Sequence, residues 1–399
     1  MIVGCTATDK DAGTDTGTDT DDSATEEIAP CADGWGAIDD LLDVQTAVHV
    51  APDGSPQGPG TVDQPFDTLE AALAANPQGA DLALWPGSYP TALTLFVDSG
   101  AGIDHSGTRI VGCSSDEVRL TGVTTDAVLS LVGVTDILLA GVGTEGGYRG
   151  LEARGGADLE TLDVVVSDAV RTGVFLSGTA TTGALRGLTI TDPVPEDDGS
   201  YGWGLVIQDA TVSVDDTRIE NAHGVGALVH FGDVDVTGLQ IQGVATDAAG
   251  LFGRGLQLQE LAQGQLEDVE IRQAHDAGVF AHRTLLLDLN NIWILDTGGG
   301  LTAEDGEATG DGLVVTRADG NEAVDTFQVS VTDSIFEGSA RAGVVLDGVT
   351  ATLVDVTTPD SALSQGGVGV WAQNGAEVSG DSVQATQPLK LNLTTLGAD

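Results

Sequence analysis

The sequence predicts an all-β chain, a right-handed single-stranded parallel β-helix closed at its N-terminal end by a short helix. Three observations predict it. A glycine followed by three or four strand-forming residues recurs between residues 150 and 369, at intervals of 22 to 34 residues. A second stretch of alternating apolar residues follows each glycine strand, often with an aspartate between its apolar positions. The one convincing helical pattern of the first third, residues 66–73, stands just ahead of the first strands.

Taken in order, residues 1–5 end in Ile2-Val3-Gly4-Cys5, which resembles the lipobox of bacterial lipoproteins. That resemblance implies lipidation at Cys5, export, and residence at the outer membrane or cell surface. Residues 6–30 form a Thr/Asp-rich tract, "TATDKDAGTDTGTDTDDSATEE" and its flank, that cannot bury a core and reads as a disordered tether. Residues 31–80 form an entry segment. Its Cys31, with Cys113 in "RIVGCSSDEV", leaves two cysteines in an exported chain, a candidate disulfide whose alternative is two buried thiols. Neither has a Cys or His neighbour at zinc-ligand spacing.

Within the entry segment, Phe66, Leu69 and Leu73 make one apolar stripe. Asp67 is placed to cap the helix N-terminus, with Glu70 reaching back as a capping box, and "NPQG" at 76–79 ends it. The preceding "APDGSPQGPG" lacks both the Walker lysine and the dinucleotide glycine spacing, so a phosphate-binding loop is set aside. Such a stripe is suited to covering the open end of a first coil.

From residue 81 to 399 the pattern is a solenoid. "DLALWPGSY", "TRIVGC" and "DILLAGVG" are early rungs, followed by "GLEA" at 150, "GVFL" at 173, "GLVI" at 204, "GALVH" at 226, "GLQLQ" at 255 and "GVFAH" at 278. "GLVVT" at 312, "GVVLD" at 343 and "GVGVW" at 369 continue it, and "LKLNLTTL" is placed as the last strand. Period-two alternation argues strand over helix. Units this short hold two or three strands each, too few for propeller blades of 40–45 residues. Right-handedness follows the general preference of parallel crossovers.

Charge excludes one class of partner. The chain carries 62 acidic and 14 basic residues, for a formal net charge of -48, and Lys10 and Lys390 are its only lysines. A nucleic-acid surface needs clustered Lys/Arg, which is absent. The acidity suits solubility, cation binding or a saline setting. No apolar stretch is long enough for a transmembrane helix.

Residues 48–90 resemble the entry segment of bacterial right-handed β-helix proteins of the pectin-lyase-like superfold. Gly60, Thr61, Pro65, Phe66, Thr68, Leu69, Ala72, Pro86, Gly87 and Tyr89 carry the match. The resemblance implies the fold and export. It also implies that any enzyme here would be a polysaccharide lyase or glycoside hydrolase. Tested against polygalacturonase-like patterns, the paired Asp197-Asp198 and, with Ala for the first Gly of Gly-His-Gly, Ala222-His223-Gly224 match in part, but no Asn-Thr-Asp occurs and no lysine lies between residues 11 and 389. Against calcium-dependent pectate lyases, arginines such as Arg218, Arg254 and Arg283 are present, but Arg-x-Pro-x-x-Arg is not. Asp197, Asp198 and His223 are therefore the catalytic candidates.

Enlarged connections at 193–202, 244–253, 296–311 and 357–366 all fall after the second strand and before the next glycine. In a solenoid, insertions at one point of the repeat project from one face, commonly the binding face. Tyr201, Trp203, Asp247, Phe252, Asp305 and Asp311 are its candidates. No cofactor is required, and calcium is the candidate ion. Oxygen ligands would come from Asp305, Glu307 and Asp311. His223 and His275 are the imidazole candidates; they sit three before Gly226 and Gly278, and His230 and His282 four after them. The pairs stand about 9–10 Å apart along the stack, too far to share one ion. The expected function is a surface-anchored, structural, adhesive or glycan/cation-binding module, with polysaccharide or a cell-surface protein as partner. The alternative is a polysaccharide lyase or glycoside hydrolase.

Overall fold

The computed structural model describes residues 31, 40–298, 310–317, 328–359 and 368–385, with the backbone of 390–392. It is a right-handed parallel β-helix. Its strands form a front sheet of thirteen and a back sheet of eighteen among the described residues. The front sheet is built from the glycine strands, among them Arg149–Arg154, Thr172–Ser177, Trp203–Gln208, Val225–His230, Arg254–Gln259 and Ala277–His282. They pair parallel and in register, so that Leu205 lies beside Ala227 and Ala227 beside Leu256.

Each second strand contributes to two faces, because it bends in the middle. Asp163, Asp216, Asp268 and Asn291 have φ of 51°, 46°, 55° and 55°, and Gly187 and Gly238 occupy the same column. Aspartate and asparagine tolerate this left-handed conformation better than other residues with a Cβ. That is why an aspartate interrupts the apolar alternation. Among the described residues, ten of the twenty-two non-glycine residues at positive φ are aspartates, so part of the acidity is architectural.

The repeat glycines have a different cause. A Cβ on Gly204 would stand 2.4 Å from the Gly226 carbonyl oxygen, and one on Gly226 would stand 2.6 Å from that of Gly255. Ile219 and Ile241 close the inner side at 2.6 and 2.8 Å. The glycine column exists because successive coils meet backbone to backbone there. The interior is filled by side chains such as Leu205, Ile207, Val212, Val214 and Ile219, each at most 2% exposed.

The stack starts earlier than the 81–399 span, since Val48–Val50 already pairs parallel with Asp81–Leu84. The helix, Leu69–Ala75, buries Leu69, Ala72 and Leu73 over this first coil. Its cap differs from the expected one. Thr68, not Asp67, is the N-cap, with its Oγ1 accepting from the Ala71 N–H at 3.2 Å, while Glu70 accepts from Thr91 Oγ1 at 2.5 Å. Thr68 takes the extended conformation that a cap needs, so Asp67 lies one residue outside. Ahead of this, Leu42, Val44 and Ala47 pack outside the back sheet on Ala83, Val111 and Ala140. Cys31 is bonded to Cys113, S–S 2.00 Å, beneath that strap. At the far end Lys390–Asn392 pairs with Val368–Gln373. Among the described residues no helix is long and apolar enough to cross a membrane.

Candidate functional site: a groove on the front sheet

Outward side chains of the front sheet form columns. The central one runs Glu152, Phe175, Val206, Leu228, Gln257, Phe280, Val314, Val345 and Trp371. Beside it, the last residues of the strands give Gln208, His230, Gln259, His282 and Thr316. One column is largely apolar and aromatic, the other polar and hydrogen-bonding.

The opposite wall is made by two of the enlarged loops. Residues 193–202 and 244–253 fold alike: Glu196 N–H donates to Ser200 at 2.9 Å, as Asp247 N–H does to Leu251 at 3.0 Å. Gly199 closes back on Glu196 as Gly250 does on Asp247, at 2.7 and 2.9 Å. The loops also touch, Ala248 N–H donating to the Gly199 carbonyl at 3.2 Å. The last residue but one of each loop is aromatic and at positive φ, Tyr201 at 64° and Phe252 at 63°. A bulky side chain in that region is strained by about 1 kcal/mol or more, and such strain gathers at functional sites.

Between wall and polar column lies a cleft of about 380 Å³, lined by Arg149, Arg171, Phe175, Tyr201, Trp203, Gln208, His230 and Gln259. Arginines and rings interleave along it. Arg171 Cζ is 3.8 Å from the Tyr201 ring centroid and Arg149 Cζ 4.0 Å from that of Phe175. Further along, Arg254 Cζ is 3.6 Å from Phe280. Tyr201 and Trp203 meet edge to face at 4.9 Å. Glu196 Oε1 accepts from Tyr148 Oη at 2.9 Å and from Arg171 Nη1 at 3.0 Å.

Of the sequence candidates, Tyr201 and Trp203 line this cleft and Phe252 stands on the same wall. Asp247 builds its loop, with Oδ1 accepting the Ala249 and Leu251 N–H groups. Asp197 and Asp198 are exposed on the outer part of the first loop. The Ser200 hydroxyl and N–H hold the Asp198 carboxyl below the usual carboxylate range. Neither aspartate hydrogen-bonds His223, whose N–H donates to the Gly202 carbonyl at 2.8 Å. The structure thus does not assemble these three into a catalytic group.

His275 repeats the His223 contact two coils on, donating to Gly253 at 2.7 Å. Asp311 needs correction as a cation ligand. Its side chain is 2% exposed, and both carboxylate oxygens accept from Arg341. Burial pushes its pKa up while Arg341 draws it back. Asp305, Glu307 and Cys5 lie outside the described residues. Among the described residues no three His, Cys, Asp or Glu side chains converge to hold a metal.

Sequence reasoning missed Arg149, Arg171 and Phe175, and of the polar column it named only His230 and His282, as imidazoles stacked two coils apart. The column's signal was present: the residue closing each glycine strand is Gln, His, Gln, His, Thr in "GLVIQ", "GALVH", "GLQLQ", "GVFAH", "GLVVT". A second hollow, about 600 Å³ on the back sheet, is lined by small and polar side chains such as Thr182, Thr211, Ser213 and Asp235. It offers neither ring nor cation.

No protein-family model matches the chain, and no curated protein matches it in sequence. Solved structures do match. The catalytic unit of a thermostable GH87 alpha-1,3-glucanase from Streptomyces thermodiastaticus strain HF3-3 superposes with a TM-score of 0.55 at 13% identity, over 87% of this chain and 70% of that one. The shared fold is a parallel β-helix. The pectate lyase Pel9A matches at TM-score 0.36 and 14% identity, over 86% of this chain and 82% of its own. A rhamnogalacturonan lyase matches at 0.33 and 15%, over 76% and 73%. At these identities the likeness concerns the fold alone.

Proposed function

We propose that this β-helix binds a polysaccharide along its front sheet, between the wall carrying Tyr201 and Phe252 and the column of Gln208, His230 and Gln259. The observation that carries the reading is the cleft itself. Aromatic rings give apolar faces for the C–H surfaces of sugar rings, and amides and imidazole exchange hydrogen bonds with hydroxyls in either direction. The groove follows the stack axis, as a chain-like ligand requires. Cys5 and the following tether support display at a bacterial surface through a lipid anchor, with the groove outward. The reading needs no cofactor; were calcium bound, Asp305 and Glu307 would be its ligands, Asp311 being paired with Arg341.

The shared fold favours a second reading, a glycoside hydrolase or polysaccharide lyase acting in the same groove. Glu152 and Glu196 are its half-buried carboxylates, and Asp197 and Asp198 belong to the loop that carries Tyr201.

Affinity electrophoresis through gels containing glucans, mannans, xylans and polyuronates tests the binding reading. Retardation by one glycan class, lost in Tyr201→Ala and Trp203→Ala, is expected. No retardation by any glycan sinks it. Reducing ends or unsaturated products that disappear in Glu196→Gln would move the assignment to the enzyme. Labelled palmitate should enter the full-length product and not its Cys5→Ala variant.

A further inference from the structure

The groove contains arginines, and an arginine beside a sugar site ordinarily suggests a uronate or other acidic glycan. Here each one already has a carboxylate. Arg149 pairs with Glu152 and Arg171 with Glu196, Arg254 with Asp276 at 2.7 Å, and Arg341 with Asp311. Arg154, about half exposed, shares Glu152 at 3.8 Å. Four of the five also lie within 6 Å of a ring centroid.

A uronate entering the cleft would compete with Glu152 for Arg149 and with Glu196 for Arg171, each of which meets its carboxylate through Nη1. One ion pair would be exchanged for another, and a half-buried protein carboxylate would be left without its partner beside a new negative charge. Such stranded charges are costly. The net charge of -48 opposes the approach of a polyanion as well. An uncharged glycan meets neither obstacle. Its hydroxyls donate to carboxylate oxygens already held by arginine, and they accept from and donate to Gln208, His230 and Gln259 while every ion pair stays intact.

We infer that the groove selects an uncharged polysaccharide and rejects polyuronates, with the Glu152 and Glu196 carboxylates as the selecting groups. This rests on the reading of the groove as a glycan site. Those two carboxylates fill, from within the protein, the positions that a substrate carboxylate would otherwise occupy.

The test is retention of the purified chain on immobilised neutral glycans (α- and β-glucan, mannan, xylan) and on polygalacturonate and alginate, at 20 and 500 mM NaCl. Retention by a neutral glycan, changing less than about twofold between the two salts, is expected, because no ion pair forms across the interface. The uronates should not retain the chain at either salt. Glu152→Gln releases Arg149 and Arg154, and it should acquire salt-sensitive retention on polygalacturonate while folding as the parent does. Retention of the parent chain on polyuronate, or no gain by Glu152→Gln, overturns the inference and leaves the groove as a glycan site. Retention on nothing overturns the groove reading itself.

Discussion

The guanidinium carbon of Arg171 stands 3.8 Å from the centroid of the Tyr201 ring, and the same guanidinium is hydrogen-bonded to Glu196, five residues before that ring. One loop therefore presents both an anion and an aromatic face to a single cation on the neighbouring coil. Tyr201 does so from a backbone conformation that suits glycine better. Tyr201→Gly should relieve that strain while losing the ring. Unfolding stability should change by less than about 1 kcal/mol, the two effects offsetting. Glycan retention should fall about tenfold or more. Urea titration and affinity electrophoresis on one variant read both.

Two glycines should behave in opposite ways. Gly226→Ala drives a methyl into the Gly255 carbonyl and Ile241, and should cost about 3 kcal/mol or more. Gly250 has a φ of 75° but nothing within 4 Å, so Gly250→Ala should cost about 1 kcal/mol from backbone strain alone. Urea midpoints compare the two.

Removing Arg341 strands Asp311, a side chain 2% exposed. Arg341→Leu should destabilise by about 3–5 kcal/mol. Arg341→Leu with Asp311→Asn should recover a large part of that loss. A double-mutant cycle in urea measures the recovery.

Acidification should weaken the N-terminal coils. His49 Nδ1 accepts from Trp85 Nε1, and His105 Nδ1 accepts from the Phe96 N–H, both at 3.3 Å. Burial lowers both imidazole pKa values in the folded chain. The unfolded state therefore binds more protons, and the contribution is complete above the ordinary histidine pKa of about 6.5 and lost as pH falls below it. Stability should drop from pH 7 toward pH 5. His105→Gln should flatten part of that slope in urea titrations across the range.

The Cys31–Cys113 bond spans 82 residues and fastens the strap to the stack. Loop-closure entropy gives about 4–5 kcal/mol as its upper contribution. Dithiothreitol should lower the thermal midpoint of the parent chain and leave that of Cys113→Ser unmoved.

The coil pattern was legible because backbone demands write themselves into single residues. Gly204 and Gly226 are required by a carbonyl one coil away, and Asp216 and Asp268 by a left-handed bend. Each therefore recurs at fixed places. The groove was only half legible. Tyr201, Trp203 and Phe252 could be read from the length and position of their loops. Arg171 and Phe175 could not, because their meaning comes from neighbours 25 to 30 residues along the chain that only the stacking register brings close. Asp198 misled for a related reason. An aspartate pair near a histidine looks the same in sequence whether it aims into a cleft or closes a turn on Ser200. At the helix the error was a single residue: Asp67 and Thr68 are both good caps, and backbone conformation chose between them.

The contact between one coil's glycine and the next coil's carbonyl also governs how such a chain can grow. Adding or deleting a few residues within a rung would put a side chain where only hydrogen fits. Duplicating a whole turn reproduces the contact at both new junctions. The stack therefore lengthens only by complete turns, while the loops between strands are free to vary, and each turn gained extends the groove by one strand spacing, about 4.8 Å. The length of the groove is set by counting coils.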